Sequence, residues 1–129
     1  MPRPEECRFT EQHEWVHVEN GVARIGITDF AQGELGQIVY VNMGEVGRSV
    51  AAGDEIGEVE SVKTVASVYA PVSGDVTQIN GSLAEHPEHV NDDPFGAGWL
   101  VLLHAKDVSE ANRLMDHAAY RKYLETAGH

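Results

Sequence analysis

The sequence predicts a small, mainly β domain, built as a sandwich or a barrel, with helices at its carboxyl end. Strand-like runs separated by turn residues fill roughly the first hundred positions, which is typical of such folds. Apolar residues at helical spacing follow only from Ser109 onward. The length of 129 residues fits one domain, and the content of 42% hydrophobic and 23% charged residues is ordinary for a globular protein.

The first elements are predicted from local turn and cap signals. Asn20-Gly21 separates two β-prone runs, and it favours a type I′ hairpin because both central residues of that turn need positive φ. Thr28 can cap a single helical turn that ends near Gly33 or Gly36. The other predicted elements are, in order, a strand over 37–42, a glycine-rich connection over 44–53, a turn at 71–74, a strand over 75–79, one helical turn over 82–85, a loop over 86–98, a strand over 99–104, and two helices capped by Ser109 and Asp116.

Residues 56–70 form a β-prone run of 15 residues with Lys63 at its midpoint. Strands usually span about 3–10 residues, so we expect a bend that places Lys63 at the tip of a hairpin. Lys63 is the only lysine or arginine between Arg48 and Lys106. Two interpretations remain open from the residues alone: an edge lysine that blocks strand aggregation, or a lysine displayed for covalent attachment of a cofactor.

The net charge and the cysteine content argue against several classes of protein. The chain has 9 Lys and Arg against 21 Asp and Glu, a net charge of −12, which argues against binding to nucleic acid or to an anionic membrane. Protein partners with basic surfaces are favoured instead. Cys7 is the only cysteine, so no disulfide framework is predicted, and we expect a cytoplasmic protein without a secretory signal.

No metal site and no catalytic residue is predicted. The segment His86-Pro87-Glu88-His89 contains metal-ligating residue types, but no further ligand signature accompanies it, so solvated histidines are expected. Phosphate-binding glycine loops are absent from the sequence.

The motif Glu60-Ser61-Val62-Lys63, followed by Ser67, closely resembles the glycine cleavage system H protein family. Other blocks resemble that family in the same order, over roughly residues 9–124. They are His13-Glu14-Trp15-Val16, Gly26-Ile27-Thr28-Asp29, Ala31-Gln32, Leu35-Gly36, Ile38-Val39, Ala70-Pro71-Val72-Ser73-Gly74-Asp75-Val76, Val90-Asn91, Pro94, Gly96 and Gly98-Trp99-Leu100.

This resemblance implies a fold and a site. The fold would be a barrel-sandwich hybrid, as in lipoyl and biotinyl domains, with short helices and a C-terminal helical segment. Lys63 would carry lipoate through an amide bond, and Glu60, Ser61 and Val62 would supply contacts for recognition. Glu14 would be the candidate carboxylate in a pocket for the loaded arm, with a strand-surface glutamate as the alternative.

The resemblance also implies a carrier function without catalysis. The protein would shuttle the aminomethyl group of glycine from the pyridoxal-phosphate-dependent glycine decarboxylase (P-protein) to the tetrahydrofolate-dependent aminomethyltransferase (T-protein). Dihydrolipoamide dehydrogenase (L-protein) would reoxidise it, and lipoate-attaching enzymes would modify it. We expect a monomer with an N-terminal extension at 1–8, a lipoyl-carrier β domain at 9–106 and C-terminal helices at 107–129.

Three alternatives differ in what Lys63 would carry or do. An H-like protein acting mainly in lipoyl or octanoyl relay fits the same motifs. A biotin carrier is disfavoured because biotin acceptor lysines sit between methionines in such carriers, whereas Val62 and Thr64 flank Lys63. An enzyme with Lys63 as a Schiff-base nucleophile would need a buried amine, which a hairpin tip does not provide.

Overall fold

Antiparallel strands form two sheets in the computed structural model, which describes residues 2–126 of the chain. The strands are β1 (Arg8–Phe9), β2 (Glu14–Glu19), β3 (Val22–Ile27), β4 (Ile38–Asn42), β5 (Ser49–Val50), β6 (Glu55–Ser61), β7 (Val65–Tyr69), β8 (Gly74–Ile79) and β9 (Val101–Ala105). The α-helices are α1 (Asp29–Leu35), α2 (His89–Asp92) and α3 (His117–Thr126), and short 3-10 helices occupy Pro4–Glu6, Gly81–Ala84 and Val108–Arg113.

The two sheets enclose the main hydrophobic core. The larger sheet has the strand order β1-β2-β3-β9-β8-β5, and the smaller has the order β4-β6-β7. Ile25 and Leu103 of the larger sheet and Val59 of the smaller sheet are fully buried in one cluster. This arrangement confirms the predicted β-rich class with short helices and a C-terminal helix.

The first hairpin follows the local prediction. Asn20 and Gly21 both have positive φ, of 54° and 78°, as a type I′ turn requires. Trp15 of β2 lies opposite Gly26 of β3, and its indole covers the place where a side chain at position 26 would begin. The glycine therefore makes room for a tryptophan that is completely buried.

A second apolar cluster joins the two ends of the chain to this tryptophan. Phe9 stacks on Tyr120 of α3 with ring centroids 4.5 Å apart, and Cys7 and Trp15 complete the buried set. The terminal segments thus pack against the β domain. Residue 1 of the expected extension and residues 127–129 of the expected helical segment lie outside the described residues.

The helices differ from the prediction in three details. α1 runs for two turns rather than one, from its Thr28 cap to Gly36. The expected loop over 86–98 contains α2, which is held by the buried side chain of Val90. The helix expected to start from a Ser109 cap is a 3-10 helix capped by Asp107. None of the helices described over residues 2–126 is long and apolar enough to cross a membrane.

Candidate functional site

Lys63 lies in the turn between β6 and β7, as the length of the β-prone segment predicted. Its side chain is exposed, as is that of the neighbouring Val62, which keeps 65% of its accessible surface. Among residues 2–126, no carboxylate forms an ion pair with the Lys63 amine. The Lys63 side chain is therefore accessible at the surface.

Ser61 shapes this turn from the inside. Its hydroxyl oxygen accepts hydrogen bonds from the backbone N–H groups of Lys63 and Thr64, both at 3.2 Å. Its backbone N–H donates to the Thr64 carbonyl at 2.8 Å. Val62 and Lys63 do not have positive φ, so this is not the type I′ turn that matches strand twist. The buried serine supplies hydrogen bonds that hold this turn conformation.

The segment between α1 and β4 supports the same turn. The Val62 N–H donates to the Gln37 carbonyl at 3.0 Å. Gly36 has a φ of +82°, and a Cβ added there would lie 3.4 Å from Cε of Lys63. The stem of the lysine thus passes over a glycine, and a Cβ at that position would be in ordinary van der Waals contact with it.

Asn91 fixes that segment through its side chain. Its Oδ1 accepts from the Ile38 N–H, and its Nδ2 donates to the Gly36 carbonyl and to Oε1 of Gln32, each at 2.9 Å. The sequence analysis gave Asn91 no role of its own, because its partners lie more than fifty positions away along the chain. Only the fold brings it beneath the lysine turn.

The surface beside Lys63 is apolar with an acidic neighbour. Tyr40 and Val65 keep 57% and 54% of their accessible surface, and both lie opposite the exposed Glu60 in the sheet register. Glu60 and Val62 can therefore contact a partner protein directly. Ser61 is buried, and its hydroxyl holds the turn.

A cavity of about 260 Å³ opens between α1 and β7, on the strand that leads away from Lys63. Its apolar lining includes Ile27, Leu35 and Val68, and its polar lining includes Gln12 and Ser67. Position 67 is four residues beyond the lysine, which corresponds to roughly 13 Å along a strand. This cavity can shelter an apolar group from water.

Glu14 is buried rather than exposed on a strand surface, with only 1% of its surface accessible. Its carboxylate accepts hydrogen bonds from the Thr10 hydroxyl at 2.5 Å and from the Tyr69 N–H at 2.9 Å. Burial raises the pKa of Glu14, and these two hydrogen bonds oppose the rise. The carboxylate lines a second, larger cavity of about 480 Å³, and Gln12 lines both cavities.

Hydrogen bonds among Tyr120, His13 and Thr28, which the sequence did not predict, connect α3 to the smaller cavity. The Tyr120 hydroxyl lies 2.8 Å from Nδ1 of His13 and 2.8 Å from Oγ1 of Thr28. His13 lines the cavity and has a φ of +70°. Burial raises the pKa of Tyr120 to about 12, so its hydroxyl keeps its proton at neutral pH.

The two-sheet fold with a lysine displayed at a hairpin turn defines a carrier domain of the barrel-sandwich type. Residues 7–127 match the family described as Glycine cleavage H-protein. The chain belongs to that family, whose members are lipoyl carriers of the glycine cleavage system and not catalysts.

Individual relatives are similar over nearly their whole lengths. The glycine cleavage system H protein of Parvibaculum lavamentivorans is 49% identical over 121 residues, which cover 94% of this chain and 97% of the relative. The probable H protein of Haloarcula marismortui is 47% identical over 122 residues, with coverage of 95% and 96%. The crystal structure of an H protein from Mycobacterium marinum superposes with a TM-score of 0.87 at 34% identity, covering 95% of this chain and 99% of that one.

Proposed function

We propose that this chain carries lipoate in amide linkage to Lys63 and presents it in turn to the P-, T- and L-proteins of glycine cleavage. The observation that carries the proposal is the unpaired, exposed amine of Lys63 on a turn held by the buried Ser61. A merely protective edge lysine would not need a turn stabilised in this way.

The residues around Lys63 fit a long acyl group. The amine is accessible, Gly36 leaves the stem unobstructed, and the cavity along β7 offers apolar walls. When bound, lipoate supplies a dithiolane whose thiol–disulfide chemistry the side chains of the protein do not provide. The only protein thiol, Cys7, is buried, and burial raises its pKa to about 12, so it does not form a thiolate near neutral pH.

In this proposal the protein protects a bound group from water and offers the Glu14 carboxylate to a positively charged amine. The apolar lining of the smaller cavity excludes water from whatever enters it. Glu14 holds a carboxylate in a place where burial opposes ionisation, and a cationic amine nearby would offset that cost. Gln12, which lines both cavities, lies where it can contact a group that passes between them.

In the same proposal, the net charge and the apolar surface around Lys63 determine which partner proteins bind. The net charge of −12 steers the chain toward partners with basic surfaces, and the apolar residues Tyr40, Val62 and Val65 give those partners a patch to bury around the lysine. Enzymes that attach lipoate would use this patch as well, with Glu60 as a charged contact.

Replacement of each lysine by arginine tests the attachment site. The chain has three lysines, so Lys106→Arg and Lys122→Arg are matched controls for Lys63→Arg. After incubation with a lipoate ligase, ATP and lipoate, intact mass should show one acyl group on the parent and on both controls, and none on Lys63→Arg. The parent, Lys106→Arg and Lys122→Arg should then support glycine-dependent CO2 exchange with glycine decarboxylase, and Lys63→Arg should not. Acylation of Lys63→Arg would overturn the assignment, and acylated parent protein without exchange would favour a relay role.

A further inference from the structure

Three side chains of metal-ligating type meet at the start of α2, the short helix that also contains Asn91. One ligand atom from each of His86, Glu88 and His89 lies within 4.8 Å of the others. Nδ1 of His86 is 3.1 Å from Oε2 of Glu88, and the two imidazole rings stack with centroids 5.2 Å apart. From the sequence, these histidines were expected to be solvated.

The backbone holds this group in place. The His86 N–H donates to the Ser82 carbonyl at 2.9 Å, and the His89 N–H donates to the His86 carbonyl at 3.1 Å. Val90, the next residue, is fully buried and anchors α2 to the core. The backbone positions of the three residues are therefore set by a hydrogen-bonded segment that packs on the core through Val90.

One atom of the group lacks a partner. Nδ1 of His89 is buried and makes no hydrogen bond. No other buried side-chain nitrogen or oxygen within residues 2–126 lacks a hydrogen bond. Buried polar atoms in folded proteins are nearly always satisfied, so an orphan of this kind calls for an explanation. A cation bound through Nδ1 would give that atom a partner, whereas a cation bound through Nε2 would leave it without one.

We propose that His86, Glu88 and His89 bind a divalent zinc ion. Two imidazoles and one carboxylate form a common donor set for Zn²⁺, with water as the fourth ligand. Ligand atoms around a tetrahedral zinc ion lie roughly 3.3–3.5 Å apart at the usual bond lengths. The observed separations are 3.1 Å for one pair and at most 4.8 Å overall, so the widest pair would have to close by at most roughly 1.5 Å to bind one ion. The net charge of −12 attracts cations to the whole molecule.

Calorimetric titration of the untagged, chelator-treated full chain with ZnCl₂ tests the site. We expect one ion per chain, bound with a dissociation constant in the micromolar range. His86→Gln, Glu88→Gln and His89→Gln should each weaken binding at least tenfold. His104→Gln is the control, because His104 is exposed on β9 and belongs to no such cluster within residues 2–126. Equal affinity in the parent and in His86→Gln would overturn the proposal.

Two further readouts separate ligation from a change in stability. Zinc should raise the midpoint of thermal unfolding of the parent and of His104→Gln, but not that of His86→Gln or Glu88→Gln. X-ray absorption at the zinc edge should show two imidazole nitrogens with oxygen ligands. A spectrum without imidazole would refute the site. His86 and Glu88 are exposed, so their variants decide the matter even if His89→Gln does not fold.

Discussion

The hydroxyl oxygen of Ser61 accepts a hydrogen bond from the backbone N–H of Lys63 at 3.2 Å, and a second from Thr64 at the same distance. The residue that precedes the exposed turn is itself buried. The lysine is thus displayed by a backbone that one small side chain holds from within. This relationship leads to the first prediction.

Ser61→Ala should lower the free energy of unfolding by about 1–2 kcal/mol, because it removes the shared acceptor of two backbone donors. The rate of enzymatic acylation of Lys63 should fall as well, since the turn loses its fixed shape. Urea unfolding and intact-mass time courses measure the two effects. Ser109→Ala, in which an exposed hydroxyl is lost, is the control and should leave the acylation rate unchanged. Equal acylation rates in both variants would contradict the role of Ser61.

Gly26→Ala and Gly33→Ala form a pair with opposite expected effects. A Cβ at position 26 would lie 2.7 Å from three indole atoms of the buried Trp15, so overpacking should cost about 1–3 kcal/mol. A Cβ at position 33 meets nothing within 4 Å and lies inside α1, where alanine is preferred over glycine by about 0.5–1 kcal/mol. Chemical unfolding should give shifts of opposite sign. No loss of stability in Gly26→Ala would show that the Trp15 contact is misassigned, and a loss in Gly33→Ala would contradict the open position inside α1.

Glu14→Gln should change how stability depends on pH. Burial raises the pKa of Glu14, so the folded state keeps this proton at pH values where the unfolded chain has lost it. The contribution of Glu14 to the free energy of unfolding therefore falls as the pH rises from the unfolded pKa through the folded one. Glutamine does not titrate, so the stability of the variant relative to the parent should increase across that window.

Urea unfolding of the parent and of Glu14→Gln, from about pH 4 to about pH 8, measures this difference. Glu11→Gln, at an exposed neighbouring position, is the matched control. A stability difference that stays constant with pH, or that moves in favour of the parent, would mean that Glu14 is not held in a desolvated environment.

Tyr120→Phe should lower the free energy of unfolding by about 1–2 kcal/mol, because its hydroxyl connects His13 and Thr28 in a largely buried setting. Tyr123→Phe loses only a hydrogen bond of 3.3 Å at the surface, and it should change stability by less than about 0.5 kcal/mol. Thermal unfolding of the two variants compares these losses. Equal losses would show that the hydroxyl of Tyr120 adds nothing beyond the packing of its ring.

Most of the fold was predictable because its signals are local. The Asn20-Gly21 turn and the Thr28 cap each depend on residues within a few positions of one another. The type and start of the 3-10 helix at Val108–Arg113 were missed, because the predicted cap was Ser109 whereas the folded backbone is capped by Asp107. α2 was missed because four residues carry no helical period, and the burial of Val90 holds it.

The sequence by itself determined that a lysine stands in the middle of a long β-prone run, and that this run must bend. It could not determine that Glu14 is buried, since its Tyr69 partner lies 55 positions further along the chain. Nor could it show that His13 meets Tyr120 across 107 positions. Turn and cap preferences act between neighbours and can be read from adjacent residues. Burial and long-range hydrogen bonds exist only after the sheets have packed, so the tertiary structure alone decides what surrounds the displayed lysine.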